Sequence, residues 1–402
     1  MTFEWLFKKI FFSRDKVIMN NFNATPFALP DIGTEEIDEV VDTLKSGWLT
    51  TGPKVKKFEN DFKDYLNVKY AFAVNSCTSG LHLALEACGV GPGDEVVVPV
   101  HTFTATAEVV RYLGAETVFA DINRETLNID ENEIKPKLNG RVKAIIPVHF
   151  AGQACNIGAI SEMAESHDLS IIEDAAHAIP CTYQGKTIGT ISDATVFSFY
   201  TTKPIATGEG GMIATNSKRI AERVNIMRLH GIDRDIWERY TEIKPNWKYA
   251  VVAPGFKYNM PDIMAAIGIH QLKKADAFQQ RRKWIASQYN KAFKRMPIGI
   301  PCVQNELETH AWHLYVVQLE IEALAITRDE FINKMSDMGI GTSVHFRPLH
   351  LHPYWRDRYN LKPEDFPVAY DIYNRSVSLP IYSKMTDDDV CRVIEAVKTA
   401  LS

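Results

Sequence analysis

Residues 195–215 read TVFSFYTTKPIATGEGGMIAT. The run Val196 to Tyr200 is apolar enough for a buried strand, and it delivers Lys203 into a turn of small polar residues and glycine. Upstream, Leu169 to Glu173 forms a second apolar run, which ends in Asp174 and is followed by AAHA. An amine and a carboxylate held at strand ends meet the needs of pyridoxal phosphate (PLP). The amine condenses with the aldehyde, and the carboxylate keeps the pyridine nitrogen protonated so that the ring accepts electrons. The pair predicts a PLP enzyme.

Working outward, YAFAVNS, EVVVPV, TVFADI, AIIPVHF, SIIEDA, TVFSFY and GMIATN read as strands with helical stretches between several of them. EEIDEVVDTLKSG and KVKKFENDFKDYL read as amphipathic helices, and SGLHLALEACGV as a helix opened by serine or threonine. Near-continuous apolar strands among helices imply an α/β fold with a mostly parallel sheet covered on both faces. Its ligand crevice is expected beyond the carboxyl ends of the strands, where Asp174 and Lys203 fall. After Asp262 one long helical pattern, MAAIGIHQLKKADAFQQRRKWIASQYNKAF, reads as a link to a second unit. There HLYVVQLEI and SVHFRPL read as strands, and DEFINKMSDMG and DDDVCRVIEAVKTAL as helices. The expected organisation is an extension at 1–20, a large cofactor-binding domain at 21–262, and a linking helix with a smaller α/β domain at 263–402.

At 402 residues, 46% hydrophobic and 24% charged, the chain has the composition of a globular protein of more than one domain. A net charge of −5 provides no field for nucleic acid. The six cysteines are scattered without metal spacing, which points to a reducing cytoplasm and to no metal site. MTFEWLFKKIFFSRDKVIM is too short an apolar stretch, split by Lys8 and Lys9, for a spanning helix. A membrane-surface helix is the alternative to a plain extension, or to a start codon placed ahead of Met19.

PLP makes further demands, and each has a candidate. A phosphate site is expected at the helix start formed by Thr78, Ser79 and Gly80, where free N–H groups and the dipole attract an anion, with Ser198 opposite. Asn259, in GFKYNMPDI, is a further phosphate candidate reaching across a dimer interface. Phe103, in VHTFTATA, offers a face for the ring, and His177, one turn beyond Asp174, a contact to the ring or its hydroxyl. Singly, these features are also a solvated lysine, an ordinary cap and a core aromatic; the set is what carries the reading. Asp193 reads as structural because it precedes its strand, and Glu173 points to the opposite face from Asp174. For substrate, the basic and aromatic segment from Arg234 to Tyr258 offers Trp247 and Lys248, and the C-terminal part offers His345 and Arg347.

In order along the chain, NSCTSGLHLAL, PVHTFTATA, GAETVFADI, EDAAHAIP, FSFYTTKPIATGEGGMI, GFKYNMPDI, AAIGIHQL and GIGTSVHFRPLH resemble the DegT/StrS family of PLP-dependent nucleotide-sugar aminotransferases. The likeness runs from about Phe27 to the C-terminus, and the wording is most similar to the branch aminating 4-keto sugars, including the UDP-4-amino-4-deoxy-L-arabinose–oxoglutarate aminotransferases. The resemblance implies fold type I, as in aspartate aminotransferase, and a homodimer with shared active sites. It implies Lys203 as the cofactor-bound lysine, Asp174 as the pyridine partner and Phe103 as the stacking ring. Thr78 and Ser198 would bind phosphate, with Asn259 supplied by the second subunit. It further implies L-glutamate as donor, giving 2-oxoglutarate, and a UDP- or dTDP-linked keto sugar as acceptor for lipopolysaccharide or O-antigen synthesis. Relatives with histidine at the lysine position perform dehydration; lysine stands here. Two departures are the N-terminal extension and Pro204 where asparagine is frequent. A 3-keto sugar or cyclic polyol ketone as acceptor, and a PLP-bound regulatory protein without turnover, are the competing readings.

Overall fold

The structure is a computed structural model that describes residues 24–233, 249–303 and 308–402. The extension at 1–20 and the segment carrying Trp247 and Lys248 lie outside the described residues. Helix α1 (Thr34–Ser46) carries Glu35 and Glu36 in its first turn and stops at Gly47, whose φ of 74° is left-handed. Helix α2 (Pro53–Leu66) has proline at its first position and buries Val55, Phe58, Phe62 and Leu66 at helical spacing.

A seven-stranded sheet follows: β1 (Tyr70–Val74), β2 (Glu95–Pro99), β3 (Glu116–Ala120), β4 (Val142–Ile145), β5 (Ser170–Asp174), β6 (Ala194–Ser198) and β7 (Gly211–Thr215). Their spatial order is β1-β7-β6-β5-β4-β2-β3. The pairs from β3 to β6 are parallel, and only β7 runs against its neighbours. Period-two alternation sorts the strand residues between the two faces. Val196 packs on one face with Leu81 and Leu85 of α3 (Cys77–Ala87), whereas Phe197 and Phe199 pack on the other with Phe58 and Phe62. Each of these fully buried phenylalanines contributes roughly 1.5–3 kcal/mol. Strands β2, β6 and β7 are buried throughout, whereas Phe72 of β1, Val118 of β3 and Lys143 of β4 are only partly covered.

Helix α4 (Ala105–Tyr112) follows β2. Beyond the sheet, the 32-residue helix α5 (Asp262–Phe293) spans two cores. Ala265, Ile269 and Leu272 join the Phe58 cluster, and Ile285, Tyr289 and Phe293 join a separate cluster around β9 (Tyr315–Leu319). That strand lies between β8 (Ile298–Gly299) and β10 (Ser376–Leu379) in a three-stranded antiparallel sheet. Helices α6 (Arg328–Asp337) and α7 (Asp387–Leu401) cover it.

One expected strand is absent. SVHFRPL makes a single bridge, Ser343 to Ser378, and β10 takes the strand position instead. The backbone of that segment is spent on the large sheet's end: Phe346 N–H donates to His101 Nε2 at 3.0 Å and Leu349 N–H to Val100 O at 2.8 Å. Among the described residues, no helix is long and apolar enough to cross a membrane.

Candidate active site

β5 and β6 are parallel neighbours, so their carboxyl ends bring Asp174 and Ser198 to one edge of the sheet. A cavity of about 340 Å³ opens there, lined by Thr78, Phe103, Asp174, His177, Ser198 and Lys203 among others. Past β6 the chain turns back, with Lys203 N–H donating to Tyr200 O at 2.8 Å and Thr207 N–H to Phe199 O at 2.9 Å. The turn is pinned by Ala206 N–H on Gln271 Oε1 of α5, at 3.2 Å. Lys203 lines the cavity. Burial lowers its pKa to about 8, against the opposing pull of Cys77 and Asp174.

Asp174 is 5% exposed. Its Oδ2 accepts from Thr106 Oγ1 at 2.8 Å and its Oδ1 from Ala176 N–H at 3.1 Å. Burial raises its pKa in spite of those donors and of Lys203. Among the described residues it has no ion-pair partner at contact distance, so a protonated ring nitrogen in the cavity would meet a buried carboxylate supported only by neutral donors. The neighbouring acids are occupied elsewhere. Glu173 Oε2 sits 2.7 Å from His149 Nε2 on the opposite face, and Asp193 Oδ2 accepts Ile171 N–H at 2.9 Å at the far end of the strands.

The phosphate end is α3. The helix begins at Cys77, earlier than the sequence suggested, with Ser76 as its cap accepting from Ser79 N–H at 3.1 Å. Ser79 therefore does not line the cavity. Its hydroxyl bonds Asn75 Oδ1 at 2.6 Å and Ser76 O at 2.8 Å, closing the cap. Thr78 and Ser198 do line it, across the first turn of the helix. Gly211 permits the close approach: a Cβ there would lie 2.7 Å from Ser76 C and 2.8 Å from Cys77 N.

Phe103 is 58% exposed at the cavity mouth, its ring 6.1 Å from that of Phe346. His177 Nδ1 accepts Ala151 N–H at 3.2 Å, and burial holds its pKa well below the usual value. His345 lines the cavity with Nδ1 2.9 Å from Ser378 Oγ, its pKa lowered to about 3 by burial. Arg347 does not line it. It lies in an adjoining groove of about 630 Å³ with Phe103 and Tyr354, and its Nη2 donates to Leu351 O at 2.8 Å. Asn259 is outside its own chain's cavity, donating to Thr51 Oγ1 at 2.6 Å. Sequence reasoning missed Thr106 and His313. Thr106 was within reach, four residues after Thr102, whose hydroxyl it meets at 2.9 Å. His313 had no local signal, because only the fold brings the bend before β9 here.

A sequence profile described as the DegT/DnrJ/EryC1/StrS aminotransferase family matches residues 30–398. The spore coat polysaccharide biosynthesis protein SpsC of Bacillus subtilis is 49% identical over 374 residues, 93% of this chain and 96% of that protein. Among solved structures, the putative sugar aminotransferase Spr1654 of Streptococcus pneumoniae in its PMP form superposes with a TM-score of 0.87 at 33% identity. It covers 94% of this chain and 98% of that one, and a PLP form has been solved as well. Helicobacter pylori PseC, an aminotransferase involved in the biosynthesis of pseudoaminic acid, gives 0.86 at 28% identity, over 94% and 99% of the two chains.

Proposed function

The chain belongs to the DegT/DnrJ/EryC1/StrS aminotransferase family, and from that premise we propose that it moves an amino group from L-glutamate to a nucleotide-linked 4-keto sugar. It is a PLP-dependent sugar aminotransferase of fold type I. The observation that carries the reading is Lys203 and Asp174 facing one cavity whose floor is the N-terminus of α3. The relatives named for spore coat polysaccharide and pseudoaminic acid support an acceptor destined for surface polysaccharide, such as lipopolysaccharide or O-antigen, made in the cytoplasm. The adjoining groove supports an acceptor longer than one sugar.

When bound, PLP supplies an electron-withdrawing ring that takes up the electron pair left by breaking the donor's Cα–H bond. Lys203 would be the attachment point and, as a free amine, the base that takes the donor's Cα proton. Its pKa near 8 leaves a usable neutral fraction at neutral pH. Asp174 would hold the proton on the ring nitrogen, Thr106 and Ala176 keeping the carboxylate in place. The N–H groups of α3, with the Thr78 and Ser198 hydroxyls, receive the phosphate. His177, whose Nδ1 accepts a backbone N–H, carries its proton on Nε2 and would offer it to the ring oxygen. Phe103, at the cavity mouth, would cover a ring face.

Purified, cofactor-loaded protein is expected to release about one equivalent of 2-oxoglutarate per site from glutamate alone, and to continue beyond that only as it aminates one of a panel of nucleotide-linked keto sugars. Amination of a cyclic polyol ketone in preference to all of them would replace the acceptor. Asn259, turned away from its own cavity, is assigned to the phosphate end of a second subunit's site in a homodimer. A mixed dimer of Lys203→Ala and Asn259→Asp chains then regains one intact site; sites confined to single chains would leave the mixture dead.

A further inference from the structure

His313 is 5% exposed and lines the same cavity as Lys203. Its ring lies 4.3 Å from that of His177, and both residues hang on Ala151. His177 Nδ1 accepts the Ala151 N–H, and the backbone N–H of His313 donates to Ala151 O at 3.0 Å. That turn is tight: φ is 57° at Ala151 and 97° at Gly152. A Cβ on Gly152 would meet His177 O at 2.9 Å and Ala311 Cβ at 2.8 Å. The imidazole is therefore built into the wall.

Its tautomer follows from what surrounds it. His313 Nδ1 is buried without a hydrogen-bond partner. A proton there would strand a buried donor, which costs more than leaving a lone pair bare. The proton therefore sits on Nε2, the nitrogen that is not sealed off. Burial, with His177 and Lys203 close by, holds the ring neutral. The result is a fixed neutral N–H donor beside the base.

No guanidinium lines the cavity among the described residues. Yet an amino-acid donor carries an α-carboxylate one bond from the carbon whose proton Lys203 moves, so that carboxylate must lie close to the amine. His313 is within electrostatic reach of Lys203, and His177 beside it is taken by the cofactor ring in the reading above. We propose that His313 Nε2–H is the hydrogen-bond donor that holds the α-carboxylate of the amino-acid substrate. The assignment rests on that reading of an amino-acid donor. A keto sugar has no such carboxylate, so the contact belongs to one half of the reaction only.

The test uses α-methyl-L-glutamate, which has the carboxylate but no Cα proton to lose, titrated into cofactor-loaded protein by equilibrium dialysis. His313→Phe keeps a ring in the wall and deletes the N–H; its Kd is expected to rise at least about tenfold, the loss of one charge-assisted hydrogen bond. His313→Gln returns an N–H and should recover to within about threefold of wild type. Should the phenylalanine variant not fold, His313→Met, shaped like the glutamine variant but without a donor, makes the same comparison. Unchanged affinity in the variants without the N–H would overturn the proposal, as would an equal loss of affinity for the nucleotide-linked keto sugar, the mark of general damage to the wall. Wild-type protein that aminates sugars but binds no amino acid would remove the donor reading itself, and the subsite with it.

Discussion

Asp174 is a carboxylate that the site buries, at an electrostatic cost, before any cofactor is present. Its folded pKa lies above the ordinary 3.8 because burial outweighs the Thr106 and Ala176 donors. For a raised carboxylate the sign is fixed: ionisation costs the folded apoprotein stability, a cost absent below pH 3.8 and present in full above the folded pKa. Asp174→Asn removes the charge while its carbonyl can still accept Ala176 N–H. The apoprotein is expected to melt about 2 °C higher at pH 7 by calorimetry, while steady-state turnover drops by roughly 10²-fold or more. An unchanged rate would move the ring-nitrogen role to another residue. Lys203 and Asp174 were legible in the sequence because Asp174 closes one apolar run and Lys203 sits in the turn that follows another. Ser79 was misplaced because the helix starts at Cys77 and turns that hydroxyl into its own cap. His313 was illegible because its partners, Ala151 and His177, are far from it in sequence.

Helix α2 depends on a residue from another element. Asp262, at the start of α5, accepts Gly52 N–H at 2.8 Å, Val55 N–H at 3.0 Å and Lys54 N–H at 3.1 Å, satisfying the donors that a helix N-terminus leaves open. Asp262→Ala strands those groups and unties α5 from the layer that backs the sheet. We expect a loss of about 2 kcal/mol in urea unfolding with the slope unchanged. A loss within about 0.5 kcal/mol would show that other contacts fix the helix start. The sheet strands were readable because seven short apolar runs alternated with helical patterns. SVHFRPL looked equally strand-like, but its N–H groups go to His101 and Val100 instead of a ladder. SVSL, the real strand, is only four residues long and half polar, and follows a helix directly.

Across the whole molecule, the two cores joined by α5 leave the cavity at the sheet's edge, walled on one side by His313 and His345 from the C-terminal part. A mostly parallel sheet with a cavity at the carboxyl ends of its strands was readable from pattern alone; the strand order was not, nor is the acceptor, because it depends on pocket shape built from segments distant in sequence. What unites the account is one lysine, made reactive by burial, as the cofactor's point of attachment. The most direct measurement loads apoprotein with PLP at a series of pH values, reduces with borohydride and maps the labelled peptide by mass spectrometry. One label per chain on Lys203 is predicted, with the attachment rate rising through a midpoint near pH 8, since only the neutral amine attacks. A label on another lysine, or none, would contradict it.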